Sequence, residues 1–200
     1  PRHKNIPAMF DFSPTRGALV LYKIRPAVVH AVDDKIGIEL EGGKTKRVRP
    51  KDIAVLHPGP IASLAELGSP EGDVNEAWEL LAGGTTELQE LAELIYGEFS
   101  PAAAWAAWRL VMEGLYFEGT PGQINVRDVE RVAADIATRE AAANEERRWQ
   151  DFLLRMQKKS LLAQDRERLT EVERLAVGQL EHSRVLSALG KKENPESAHR

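Results

Sequence analysis

A chain of 200 residues that is 42% hydrophobic and 29% charged has the balance of an ordinary folded protein of one or two domains, with enough apolar side chains to fill a core. The absence of cysteine excludes disulfides, thiolate catalysis and cysteine-bound zinc, and fits a reducing cytoplasm. A net charge of −4 conceals three blocks: residues 1–60 hold 11 Lys/Arg against 6 Asp/Glu, residues 61–126 one base against 11 acids, and residues 127–200 15 bases against 14 acids.

Segregation of this kind points to modules that face different partners, the first suited to a polyanion and the second to none. No stretch approaches the roughly 18 apolar residues of a membrane helix, so no membrane partner is expected. Residues 1–14 lack the basic-then-apolar order of a signal peptide. The chain opens at Pro1 without methionine and closes on Asn194-Pro195-Glu196, a helix start, before Arg200. Both ends read as cut, and the sequence as a fragment of a longer protein.

The elements run in order as an α+β chain. After a tail over residues 1–16, residues 17–57 read as a small SH3-like β-barrel. Leu19 to Tyr22 and Pro26 to Val32 are short apolar runs, and Lys35 to Leu40 alternates with period two. Asp33-Asp34 and Gly42-Gly43 supply turns, Thr45 to Arg49 a last strand, and Pro50 to Ile53 a single helical turn. Residues 58–72, with three prolines and three glycines, read as a linker.

Residues 73–124 read as a winged-helix domain. Asp73 with Glu76 is a capping box, Gly83-Gly84 ends that helix, and Thr86 with Gln89 opens the next. Ser100-Pro101 caps a third over Ala102 to Met112, and Leu115 to Gly119 gives the wing. Residues 125–164 read as a long helix with apolar stripes at Val129, Val132, Ala133, Ile136 and at Trp149, Phe152, Leu153, Met156, separated by a polar stretch from Thr138 to Arg148. Residues 165–200 form a further helical, HTH-like module, with helices over Arg166–Ala176 and Ser183–Leu189 and a third from Pro195.

The sharpest local feature is Lys44-Thr45-Lys46-Arg47-Val48-Arg49-Pro50-Lys51, five bases in eight residues. Alternation sets Lys46 and Val48 on one face and Arg47 and Arg49 on the other. Lys23 and Arg25 extend the strip, and Tyr22 offers a ring for stacking. Such a strip contacts phosphates; it equally suits an edge strand guarded by charge against unwanted pairing. The third winged-helix helix offers only Arg109, too little to read base edges, and its tryptophans, Trp105 and Trp108, read as packing residues. Glu87, Glu90 and Glu93 lie at helical spacing as a solvated face.

His3, His30, His57, His182 and His199 are scattered, with no pair at metal-ligand or general-base spacing. No Gly-rich phosphate loop is present. Neither catalytic residues, metal ligands nor a cofactor site is expected within these residues. Arg147-Arg148 and Lys158-Lys159 lie beside the aromatic stripe but among acids, a charge-laced solvent face.

The order of parts is familiar as an ensemble: Val48 to Ile53 closing the barrel, Trp78-Glu79-Leu80-Leu81, Thr86 to Tyr96, Ser100 to Trp108, Leu115-Tyr116-Phe117, Trp149 to Leu153, and the tail from Thr170 through Ser183-Arg184-Val185-Leu186 to His199. It resembles the N-terminal, pre-catalytic region of bacterial ribonuclease II/R-family (RNB) exoribonucleases of the cyanobacterial, plastid and deinococcal kind. The resemblance implies a parent hydrolase that degrades single-stranded RNA from 3′ to 5′ to nucleoside 5′-monophosphates, with Mg2+ held by aspartates of a catalytic domain. No such aspartate cluster lies here, so no catalytic residue carries over. RNA gathering falls to Tyr22, Lys23, Arg25, Lys44, Lys46, Arg47, Arg49 and Lys51. Two other readings stay open: a winged-helix DNA-binding transcription regulator with an accessory barrel, and a scaffold whose acidic winged-helix module docks a protein.

Overall fold

The computed structural model describes residues 13–199; His3 and most of the expected tail lie outside them. The chain divides into two compact units, 1–135 and 136–200.

Unit one begins with five antiparallel strands: β1 (Leu19–Tyr22), β2 (Arg25–Val32), β3 (Ile36–Leu40), β4 (Lys44–Val48) and β5 (Ile53–His57). Their order is β4-β3-β2-β1-β5, a four-stranded meander whose fifth strand returns beside the first after a 3-10 turn at Pro50–Asp52. This is the expected SH3-like barrel. Four or five strands are expected from the sequence, and the fifth has no alternating pattern of its own, because Ile53 to His57 shows no polar face. Ala18, Val20, Ala27, Val29, Ile36, Ile38 and Val48 fill the barrel. In β2 the register slips between Val29 and Ala31, making His30 the extra residue of a bulge. A Cβ on Gly37 would stand 2.6 Å from the His30 ring, so a larger residue there would require that exposed ring to turn aside.

The alternate side chains of the same strands point outward and are buried too. Leu19, Val28 and Leu56 join one core with Leu88, Leu91, Ala103, Ala107, Trp108, Val111, Phe117 and Ile124 of the following module. Each such aliphatic burial contributes roughly 1.5–3 kcal/mol. Three of them make the barrel and the helices one cooperative body rather than two beads.

Residues 58–72, expected as a linker, hold more structure than their prolines and glycines suggest. Ile61 and Leu67 are in the shared core, and a 3-10 turn spans Leu64–Leu67. The Ile61 amide donates to the Gly17 carbonyl at 2.9 Å. The backbone passes so close that a Cβ on Gly59 would meet the Gly17 oxygen at 2.2 Å. His57 fastens the same corner: its Nδ1 accepts from the Gly59 amide at 2.9 Å and its Nε2 donates to the Phe99 carbonyl at 3.1 Å. With both ring nitrogens so used, the ring is neutral, and burial pushes its pKa below the ordinary value.

The helices are α1 (Val74–Leu81), α2 (Leu88–Tyr96) and α3 (Pro101–Glu113), with short strands β6 (Thr85–Thr86), β7 (Phe117–Thr120) and β8 (Gln123–Val126). The sheet order β6-β8-β7 completes a winged helix. Asp73 and Ser100 accept from the Glu76 and Ala103 amides, as their positions predict. Thr86 does not cap α2. Its backbone, in β6, pairs with Ile124 of β8, and its buried hydroxyl donates to Glu90 at 2.6 Å instead; Glu87 takes the cap position.

Helix α4 covers Val129–Gln157, starting later than expected because Gln123–Val126 belongs to β8. Its first apolar stripe is narrower than the spacing implies: Val132 is buried, but Val129 is 57% exposed. Every residue from Ala137 to Arg148 is exposed.

Unit two continues with α5 (Arg166–Ala176), α6 (Arg184–Ala188) and α7 (Pro195–Ala198), close to the expected spans. Trp149, Phe152, Val172 and Val185 form its core. Asp165, 1% exposed, binds Arg155 through two bonds of 2.9 and 2.6 Å and accepts from the Leu162 amide. The Arg155 guanidinium holds the Asp165 pKa down at about 2. No described helix is long and apolar enough to cross a membrane.

Candidate nucleic-acid interface

Each expected contact residue sits on the barrel surface, but the structure groups them differently from the sequence. Lys44, Lys46 and Arg47 lie on β4, an edge of the sheet, and all are exposed. Val48 alone on this strand turns inward, so the two-faced alternation reduces to one buried anchor among solvated bases.

Lys46 crosses to β1. Its Nζ donates to the Tyr22 hydroxyl at 2.8 Å and stands 5.0 Å from the ring centroid. Lys23 Nζ lies 5.9 Å from the same centroid. Two ammonium groups thus flank one ring, an arrangement able to hold phosphate while the ring offers stacking surface.

The arginines are engaged elsewhere. Arg49 forms a forked pair with Asp52 at 3.0 and 3.2 Å, and the interaction raises the Arg49 pKa and lowers that of Asp52. Arg47 reaches Asp33 at 3.4 Å. Both pairs are exposed, so their attraction is screened and exchangeable with phosphate. Arg25, Lys44 and Lys51 are exposed and form no ion pair among the described residues. Sequence spacing did not reveal Asp33 and Asp52 as competitors, although Asp52 at three residues from Arg49 on a helical turn is a recognisable pairing distance.

Arg109 is the one base on α3, while Ala103, Ala104, Ala106, Ala107, Trp108 and Val111 are buried. The helix that reads DNA in many winged-helix proteins has its apolar face packed with β5 and the turn at Leu64–Leu67, in the shared core.

In unit two, Arg184 stacks over Trp149 at 4.2 Å and Arg168 lies 5.7 Å from the same ring. Arg168 also pairs with Glu145 at 2.6 Å. Arg148 lines a cleft with Glu145, Asp151, Arg155 and Asp165, where acids and bases offset each other. The start of α6 is occupied: Glu171 accepts from the Ser183 hydroxyl and the Val185 amide, both at 2.8 Å, and Glu193 accepts from the Ser183 amide at 2.9 Å. The Ser183 and Val185 amides are thus already taken by carboxylates, whose charge disfavours phosphate at this helix start.

Among the described residues no group of three or more His, Asp or Glu is placed to hold a metal ion. Asp33 and Asp34 lie in the turn between β2 and β3. These residues do not fit the magnesium centre that the resemblance implies for the parent enzyme, and no hydrolytic step is assigned to them.

Residues 132–200 match the family model of the RNase II double HTH domain. The match starts within α4 and takes in α5, α6 and α7, so the likeness to RNase II-type proteins is one of this segment. No curated protein and no solved structure matches the chain. The double HTH segment is therefore the part of the chain with a likeness to a known family, while the barrel surface is read from its own chemistry.

Proposed function

We propose that this chain is the RNA-gathering N-terminal region of a ribonuclease II-type (RNB) 3′–5′ exoribonuclease, of the cyanobacterial, plastid and deinococcal kind, acting in the cytoplasm. The observation that carries this reading is the match of residues 132–200 to the RNase II double HTH domain. On this reading the parent hydrolyses single-stranded RNA to nucleoside 5′-monophosphates in a separate catalytic domain, which also holds its Mg2+. The barrel contributes a positive surface around Tyr22, Lys23, Arg25, Lys44, Lys46 and Lys51, with Arg47 and Arg49 available once phosphate displaces Asp33 and Asp52.

Titration of the chain with a short oligouridylate tests this. Affinity should fall steeply as salt rises, because each lysine that meets a phosphate releases counterions. Binding that is flat with salt, or equal in the Lys23→Ala/Lys46→Ala variant, would remove the barrel from the reading.

A transcription regulator is the second reading, favoured by the winged-helix topology alone. The packed face of α3 and its single exposed base weigh against it. Sequence-specific duplex binding that exceeds single-strand binding would reverse that judgement. A protein-docking scaffold, the third reading, leans on the acidic block at 61–126 and requires no RNA binding even at low salt.

A further inference from the structure

The turn between β1 and β2 is built against its own conformational preference. Tyr22 pairs with Arg25, so Lys23 and Ile24 are the two residues of a tight hairpin loop. Lys23 has φ of 59°, and Ile24 is not among the residues with positive φ. Positive φ at the first position only is the arrangement in which glycine is strongly preferred, because a Cβ there crowds the backbone. Fold alone would select Gly at 23 and a polar residue at 24. Instead the tip carries a lysine and a β-branched aliphatic side chain that is 74% exposed.

The surroundings give that side chain a purpose. Tyr22 precedes it with its ring flanked by the ammonium groups of Lys23 and Lys46, and Arg25 follows it with no carboxylate partner among the described residues. An apolar tip among bases meets a polymer that alternates anionic and flat apolar groups: a nucleic acid strand whose bases are unpaired. Aliphatic side chains serve as wedges against base faces elsewhere, and stacked bases are sequence-tolerant ligands. A membrane surface would also accept a base-flanked aliphatic residue, but one isoleucine buries too little to hold a protein there.

We propose that Ile24 packs on the exposed face of an unpaired base, with Lys23 and Lys46 on the adjoining phosphates, so that the hairpin tip selects unpaired over paired RNA. The inference rests on the barrel being an RNA surface, as proposed above. It adds a residue and a discrimination that the charged strip does not provide, since charge alone binds both forms.

The full chain and its Ile24→Ala and Ile24→Ser variants are titrated with oligouridylate and with a blunt RNA duplex at one salt concentration. The turn is exposed, so both variants should keep the parent circular dichroism spectrum. Single-strand affinity should drop by roughly threefold to tenfold, with duplex affinity and the salt slope unchanged. A fluorescent base analogue in the strand should report stacking in the parent chain and lose it in the variants. Equal loss for both RNA forms, or no loss for either while Lys46→Ala still weakens binding, overturns the role of Ile24 and leaves the RNA surface standing. No RNA binding by the parent chain overturns both. Binding of phosphatidylcholine/phosphatidylglycerol vesicles that disappears with Ile24→Ala would assign the tip to a lipid surface instead.

Discussion

Lys46 on β4 donates a 2.8 Å hydrogen bond to the Tyr22 hydroxyl on β1, although two strands stand between them in the sheet. The bond exists because the sheet curls until its edge approaches the first strand. It turns two residues distant in sequence into one ring-and-ammonium unit. Lys46→Ala should therefore weaken single-strand binding and flatten the slope of log affinity against log salt by about 0.7, the share of one phosphate contact. Tyr22→Ala should weaken binding with less change of slope, because it removes stacking surface rather than charge. Parallel salt titrations of the two variants separate these outcomes.

On the proposed reading, Asp52 competes with RNA for Arg49. Replacing it, as Asp52→Asn, removes the carboxylate that the guanidinium grips at 3.0 Å. The variant should bind oligouridylate more tightly and with a steeper salt dependence than the parent. Unchanged affinity would mean that Arg49 does not face the strand.

The turn at Lys23 offers a trade between stability and binding. Lys23→Gly relieves the positive φ and should raise stability by up to about 1 kcal/mol, the crowding term less the flexibility that glycine adds to the unfolded chain. Urea unfolding followed by tryptophan fluorescence measures it. The same variant should lose RNA affinity, since an ammonium group beside the Tyr22 ring goes with it.

His57 sets a pH dependence for unit one. Burial lowers its pKa below the ordinary 6.5, so the unfolded chain takes up a proton more readily than the folded one. Stability is full above the ordinary value, falls as pH drops through it, and levels off once pH is below the folded value. Thermal melts of the parent between about pH 8 and pH 5 should show this decline, and His57→Gln should show a smaller one.

Asp165 acts in the opposite part of the scale. Its pKa is held at about 2 against an ordinary 3.8, so the pair with Arg155 contributes stability above the ordinary value and loses it as pH falls toward 2. Asp165→Asn should loosen the helical module already at neutral pH, because Arg155 loses its charge partner and the Leu162 amide its carboxylate acceptor. Limited proteolysis around residues 158–166 should become faster in the variant.

How much of this was legible in the sequence varies with the range of the interaction. The helices of unit two came out nearly residue for residue, since Ser183, Asn194-Pro195 and the spacing of Trp149 and Phe152 are local signals. The meander was legible from alternation and turns. Long-range facts were not. Nothing local says that Leu19 and Val28 leave the barrel core for the helices, or that Lys46 returns to Tyr22. Thr86 misled because its sequence context fits a cap while its backbone is claimed by Ile124. The basic strip was visible as charge; its division into lysines near a ring and arginines held by Asp33 and Asp52 depends on side chains meeting across turns. Ile24 gave only a weak signal, an isoleucine where a hairpin loop ordinarily takes a glycine or an amide.

The burial of Ile61 and Leu67 decides where this protein can be divided. A fragment ending at His57 would carry Leu19, Val28 and Leu56 into water with nothing laid over them, and such a patch collects into aggregates. A fragment beginning at Asp73 would bare the matching side of Ala103, Ala107 and Trp108. The proline- and glycine-rich stretch that looks like a natural place to cut is a seam sewn shut, and the smallest portable piece is the barrel together with its three helices and wing.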